Sequence, residues 1–179
     1  MYEFHDKLPI NDSLVHGFVV ARDDNGGIIF KKSNMVVNGG RESIIALINN
    51  TMFNEESSKA FKTFSSIKFG SNYSMTTPDT NTITPITDNT KDKNIKYQYN
   101  ILTGEAQCVY KRENKRFEIL VEVEAKDTPA EIRELGLYFK NISDDDNTEH
   151  LFSRVVFDPI FCGANAAISK FTMTYYVYL

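Results

Sequence analysis

The sequence predicts a mainly β protein, an antiparallel β-sandwich with one or two short helices near its N-terminal third and a long polar loop. Three observations carry this expectation. From Ile168 to Leu179, Phe171, Met173, Tyr175, Val177 and Leu179 alternate with Lys170, Thr172, Thr174, Tyr176 and Tyr178, which is the two-residue period of a half-buried strand. Phe117, Ile119, Val121 and Val123 alternate in the same way with Glu118, Leu120, Glu122 and Glu124, so one face is apolar and the other largely acidic. Helical spacing is clear at one place only, where Ile44, Ile45, Leu47, Ile48 and Met52 recur within the stretch that begins at Arg41.

In chain order, residues 1–13 form a polar arm, followed by two strand-like runs, Leu14 to Ala21 and Gly27 to Lys31. Asp23-Asp-Asn-Gly-Gly27 joins them, and its glycines supply the positive φ of a tight hairpin. After the Arg41 helix, Asn54 is placed to cap a second short helix through Ala60, with Glu55 and Glu56 in its first turn. Phe64 to Phe69 is a strand ending at Gly70. Residues 71–96 then lose all periodicity and are crowded with Thr, Asn, Asp and Ser around Pro78 and Pro85. A loop about twice the usual maximum length is expected to be either disordered or functional. Tyr97 to Tyr110 reads as one strand, Glu113-Asn114 as a turn, Phe117 to Glu124 as the next strand. Ile132 to Lys140, Leu151 to Phe157 and the closing run complete the set. We expect an arm, 1–13, and a single β-sandwich domain, 14–179, carrying the extended loop 71–96; strands in series behind one helix suggest the sandwich.

The net charge of -4 and pI near 5.4 argue against a surface that neutralises phosphates, so no nucleic-acid partner is expected. The one basic cluster, Lys111-Arg112 with Lys115-Arg116, brackets Glu113-Asn114 and reads as a solvated hairpin tip. Cys108 and Cys162 lie far apart and outside any CxxC pair, which points to reduced thiols in or near the core. No signal peptide and no membrane-spanning window are recognisable, so cytosolic synthesis and no membrane partner are expected. The Asn-x-Ser/Thr matches at Asn11, Asn49, Asn72 and Asn141 then carry no weight.

Residues with catalytic or ligand chemistry are scattered. His5, His16 and His150 stand alone, and no phosphate loop, HExxH, GxSxG or EF-hand spacing occurs. Asp144-Asp-Asp146 offers carboxylates for calcium but reads better as a solvated turn. Glu122 and Glu124 share a strand face roughly 7 Å apart, a spacing available to a glycosidase, yet the chain has no Trp and its aromatics fall at core or edge positions. We therefore expect no catalytic residues, no metal and no cofactor. Glu134 and Arg154 are charges embedded in apolar strands and form a possible structural ion pair. If Gly136 faces Arg154 the two share a sheet face as diagonal neighbours; if Leu137 does, they point apart. A shared buried face would make the pair a device for fold specificity or for an interface.

Several short motifs occur in an order that resembles a group of tailed-bacteriophage virion proteins. Met35-Val-Val-Asn-Gly-Gly-Arg-Glu-Ser-Ile-Ile45 looks like their strand, Asn/Thr-Gly and short apolar helix. Ile67-Lys-Phe-Gly-Ser71 is similar to their apolar, Gly, polar strand end, and Thr77-Pro-Asp-Thr80 to the Pro and Asp-Thr stretch that follows. Ile132-Arg-Glu-Leu-Gly-Leu-Tyr138 and Leu151-Phe-Ser-Arg-Val-Val-Phe-Asp-Pro-Ile160 resemble two of their later strands. Gly163-Ala-Asn165 stands where these proteins often carry a Lys-rich turn. The resemblance spans about residues 35–179. It implies a non-catalytic β-sandwich subunit of a phage particle, in the tail, baseplate, neck or at the base of a fibre. The expected partners are itself and other virion proteins as a homo-oligomer within a larger assembly, located in the virion and made in the host bacterial cytoplasm. A receptor- or glycan-binding module at a fibre tip and a capsid decoration protein are the alternatives. In the leading case the arm and the 71–96 loop order against neighbouring subunits.

Overall fold

The computed structural model describes residues 16–53, 62–84, 98–124, 130–141, 148–163 and 168–178. The arm, the Asn54 helix, residues 85–96 of the long loop, Asp144-Asp-Asp146 and Leu179 lie outside them. Two five-stranded antiparallel sheets pack face to face. The first is built from β1 (His16–Asp23), β2 (Ile28–Ser33), β6 (Gln107–Lys111), β7 (Arg116–Glu124) and β10 (Lys170–Tyr178), in the order β2-β1-β10-β7-β6. The second contains β3 (Met35–Val36), β4 (Lys62–Gly70), β5 (Gln98–Asn100), β8 (Ala130–Asn141) and β9 (His150–Cys162), in the order β3-β9-β8-β4-β5. One helix, α1 (Asn38–Phe53), joins β3 to β4 and packs against β9.

The alternation of the closing strand sets its orientation: Phe171, Met173, Tyr175 and Val177 are buried between the sheets, and Ile119, Val121 and Val123 of β7 join them from beside it. Ile67 and Phe69 of β4, Leu135 and Leu137 of β8 and Val155 of β9 come from the opposite sheet. Each large apolar side chain buried in this way contributes roughly 1.5–3 kcal/mol. One polar bridge crosses the interior, where the Tyr175 hydroxyl meets Ser153 Oγ at 2.5 Å and accepts from Asn34 Nδ2 at 2.9 Å. Burial raises the Tyr175 pKa well above the ordinary tyrosine value, so the hydroxyl keeps its proton and can donate to Ser153.

The β1–β2 turn is the expected tight hairpin. Gly26 takes φ +81°, and Asp23 Oδ1 accepts the N–H groups of Asn25 and Gly27 at 2.9 and 2.8 Å. Two sequence expectations change. The Tyr97 to Tyr110 run is two short strands in different sheets, because Asn100 opens a turn in which its Oδ1 accepts the Leu102 and Thr103 N–H groups and Gly104 takes φ +82°. β9 continues five residues beyond Phe157 because a register shift between Ile132 and Glu134 of its partner absorbs the stretch holding Asp158 and Pro159.

Candidate functional site

The outer face of the second sheet is where residues 71–84, the described part of the long loop, lie. Residues 71–84 leave β4 at Gly70 and fold back over β8 and β9, so this half of the loop is a strap lying on its own chain. Ser71 N–H donates to Thr84 O at 3.1 Å, closing the strap at its base. The floor there is shallow. A Cβ on Gly70 would collide with Thr84 O and with Glu134 Oε1, and only glycine allows the backbone to come so near.

Under the strap lie Glu134 and Arg154. Gly136 faces Arg154 in the β8–β9 register, so Glu134 and Arg154 share one face as diagonal neighbours. Arg154 Nε donates to Glu134 Oε2 at 2.6 Å, and the side chains are only 2% and 0% exposed. Both groups also bond to the strap. Glu134 Oε1 accepts the N–H groups of Asn72 at 3.1 Å and Thr84 at 2.8 Å. Arg154 Nη1 donates to Ser74 O at 2.9 Å and Thr76 Oγ1 at 3.2 Å. A buried charge pair is tolerated when its lone pairs and protons are satisfied in this way, and removal of one partner is costly. The arrangement therefore anchors a loop, with both carboxylate oxygens engaged.

Further ties hold the strap along its length. Ile83 packs with Val37, Tyr138 and Leu151 in a small apolar cluster, and its N–H donates to the Tyr138 hydroxyl at 3.2 Å. Asn38, at the start of α1, donates its backbone N–H to Pro78 O and its Nδ2 to Asp79 Oδ1, both at 2.8 Å. At the side, Lys68 lies over the Tyr138 ring and pairs with Glu149 at 2.6 Å, and Ser65 and Ser66 donate to the same carboxylate. Burial alone would raise the Glu149 pKa; the bonds from Lys68, Ser65 and Ser66 outweigh it and hold the carboxyl below its ordinary value.

Held from beneath, the strap turns Tyr73 and Met75 outward. They are 75% and 88% exposed, and the Arg133 guanidinium lies 5.4 Å from the Tyr73 ring centre. Sequence reasoning identified the charges and the loop separately and missed their connection. The readable signal was Gly70 at a strand end together with Gly136 two residues from Glu134, a pair of side-chain-free positions on one face.

The other sequence candidates do not converge. Glu122 and Glu124 lie on the exposed side of β7, with Glu122 3.7 Å from Lys170 in a solvated pair. His16 stacks on Tyr178 and His150 on Phe139. Cys162 is buried, whereas Cys108 sits on the exposed edge strand β6 rather than in the core. One aromatic cluster was not foreseen. Phe18, Tyr176 and Tyr178 stack across β1 and β10 on the outer face of the first sheet, with Lys31 over Phe18 and Arg116 over both tyrosines. Among the described residues no three His, Cys, Asp or Glu side chains gather to hold a metal, and no helix is long and apolar enough to cross a membrane. No protein-family model, curated protein or solved structure matches the chain.

Proposed function

We propose that this chain is a structural subunit of a tailed-phage particle, in the tail, baseplate, neck or at a fibre base, and that it works without catalysis through contacts with its own copies and other virion proteins. The observation that carries this reading is a convergence. The motifs resembling virion proteins, 35–45, 67–71, 77–80, 132–138 and 151–160, fall on β3, α1, β4, β8, β9 and the strap that these elements hold. Motifs that are short and separate in the chain thus describe one surface, and that surface presents Tyr73 and Met75 on an anchored loop. A pre-ordered loop binds without the ordering cost that a free one carries.

The test is location. Antibody labelling of purified particles, with limited proteolysis, is expected to find the chain in the particle and residues 71–84 shielded there relative to the free protein. Absence of the chain from purified particles would overturn the proposal.

A further inference from the structure

The four sheet edges are not guarded equally. β3 and β5 have only two and three residues, too short to template much pairing. β2 carries Lys31 and Lys32, and a register shift lies beside it in β1. Short strands, lysines and bulges are the usual means of blunting an edge. β6 is the least guarded: its ladder with β7 has no bulge and its single lysine, Lys111, stands at its very end. Its five residues, Gln107-Cys-Val-Tyr-Lys111, are charged only at the last, pair among the described residues on one side only, with β7, and leave Val109 47% and Tyr110 49% exposed. Next to it is a 330 Å³ cavity whose lining includes Phe64, Leu102, Cys108, Phe117, Phe139 and Phe152. Tyr110 lies 5.0 Å from the Phe117 ring, so a strand added along β6 would set alternate side chains against an apolar wall.

We propose that the N-terminal arm of a second copy of this chain is that strand. Residues 1–15 precede β1, and in them Tyr2, Phe4, Leu8 and Ile10 fall on one face of a two-residue period interrupted only by Asp6. The arm has three carboxylates, Glu3, Asp6 and Asp12, against one lysine. The end of β6 has Lys111, Arg112 and Lys115 around the single acid Glu113. Pro9 is compatible with an outermost strand.

Direction selects a second copy over the chain's own arm. His16 faces Tyr178, Tyr178 faces Arg116 and Arg116 faces Lys111, so the arm leaves at the Lys111 end of the sheet, three strand spacings or roughly 14 Å from β6. Its own arm could reach β6 only by running parallel to it, whereas every ladder between the described strands is antiparallel and the one parallel contact among them is the isolated Cys162–Ile168 bridge. A neighbour's arm carries no such constraint. The inference rests on the multimeric reading above and names its contact.

The test uses the full chain, in which Cys108 is already on β6 and Cys162 is buried. Single cysteines are placed in turn at Phe4, Asp6, Leu8 and Ile10, light and isotopically heavy chains are mixed, and the protein is oxidised and mapped by mass spectrometry. At least one arm position is expected to form a disulfide to Cys108 of the other isotope, and Cys108→Ser or Val109→Pro in the same chain is expected to lower the yield tenfold or more. Thermal melting checks that these variants fold. Cross-links confined to a single chain, or none at any of the four positions, overturn the proposal. If the chain occurs in particles and no inter-chain link forms there, the arm assignment fails and the proposed function stands. If inter-chain links form but the chain is absent from particles, the arm assignment stands and the proposed function fails.

Discussion

The outer face of the second sheet and the β6 edge of the first are both places where a sheet meets its surroundings, and they are finished in opposite ways. Over the first, a loop without periodicity is tied to buried charges, backbone amides and a small apolar cluster. Along the second, a strand with apolar and aromatic side chains has pairing on one side only among the described residues. Polar loop sequence therefore does not mean a free loop, and strand sequence does not mean a completed sheet. What separates the two is whether the chain supplies its own partners.

Substitutions should divide along that line. The largest expected effect is at the strap: Arg154→Ala leaves Glu134 buried without its cation and is expected to lower stability by about 3–5 kcal/mol in urea unfolding. Replacing both charges, Glu134→Leu with Arg154→Met, should cost less than Arg154→Ala alone; a loss under ~1 kcal/mol for the single variant would show that the pair is not the anchor. Gly70→Ala forces Thr84 and Glu134 apart and is expected to cost about 1–3 kcal/mol, with faster proteolysis within 71–84. Uniform cleavage rates in the variant and the parent would remove Gly70 from the account. Acidification should loosen the same region. Because the folded-state pKa of Glu149 lies below its ordinary 4.5, its contribution is present above that value and is lost as pH falls through the depressed one. Glu149→Gln should flatten this part of the stability profile below pH 4.5. An unchanged acid limb would assign the loss to other carboxylates. The smallest effect on stability is expected at the edge, where Val109→Lys should stay within about 0.5 kcal/mol while sedimentation shifts toward monomer. A destabilised monomer there would mean that β6 is sealed by its own chain.

Much of the scaffold was legible in the sequence because alternation reports burial directly. The β7 and β10 patterns placed Val121, Val123, Phe171 and Tyr175 inside, as found. The Tyr97 to Tyr110 run misled because an Asn100 side chain that captures two amides turns the chain between sheets, and apolar pattern does not register a change of sheet. For Glu134 and Arg154, parity reduced the question to two alternatives, and the register with Gly136 opposite Arg154 decided it. The attachment of the strap was not legible, since it depends on backbone amides at Asn72 and Thr84, and those donors are the same for every residue type except proline.

The strap's anchors lie late in the chain. Glu134 is 62 residues beyond Asn72 and Arg154 is 80 beyond Ser74, so on a ribosome working at about 5–20 residues per second residues 71–84 emerge seconds before this charge pair exists to hold them. Only after β8 and β9 have been made can Glu134 and Arg154 clasp the part of the strap that carries Tyr73 and Met75. A chain interrupted or misfolded before Arg154 lacks the clasp, so the display of that surface certifies that synthesis of the second sheet has finished.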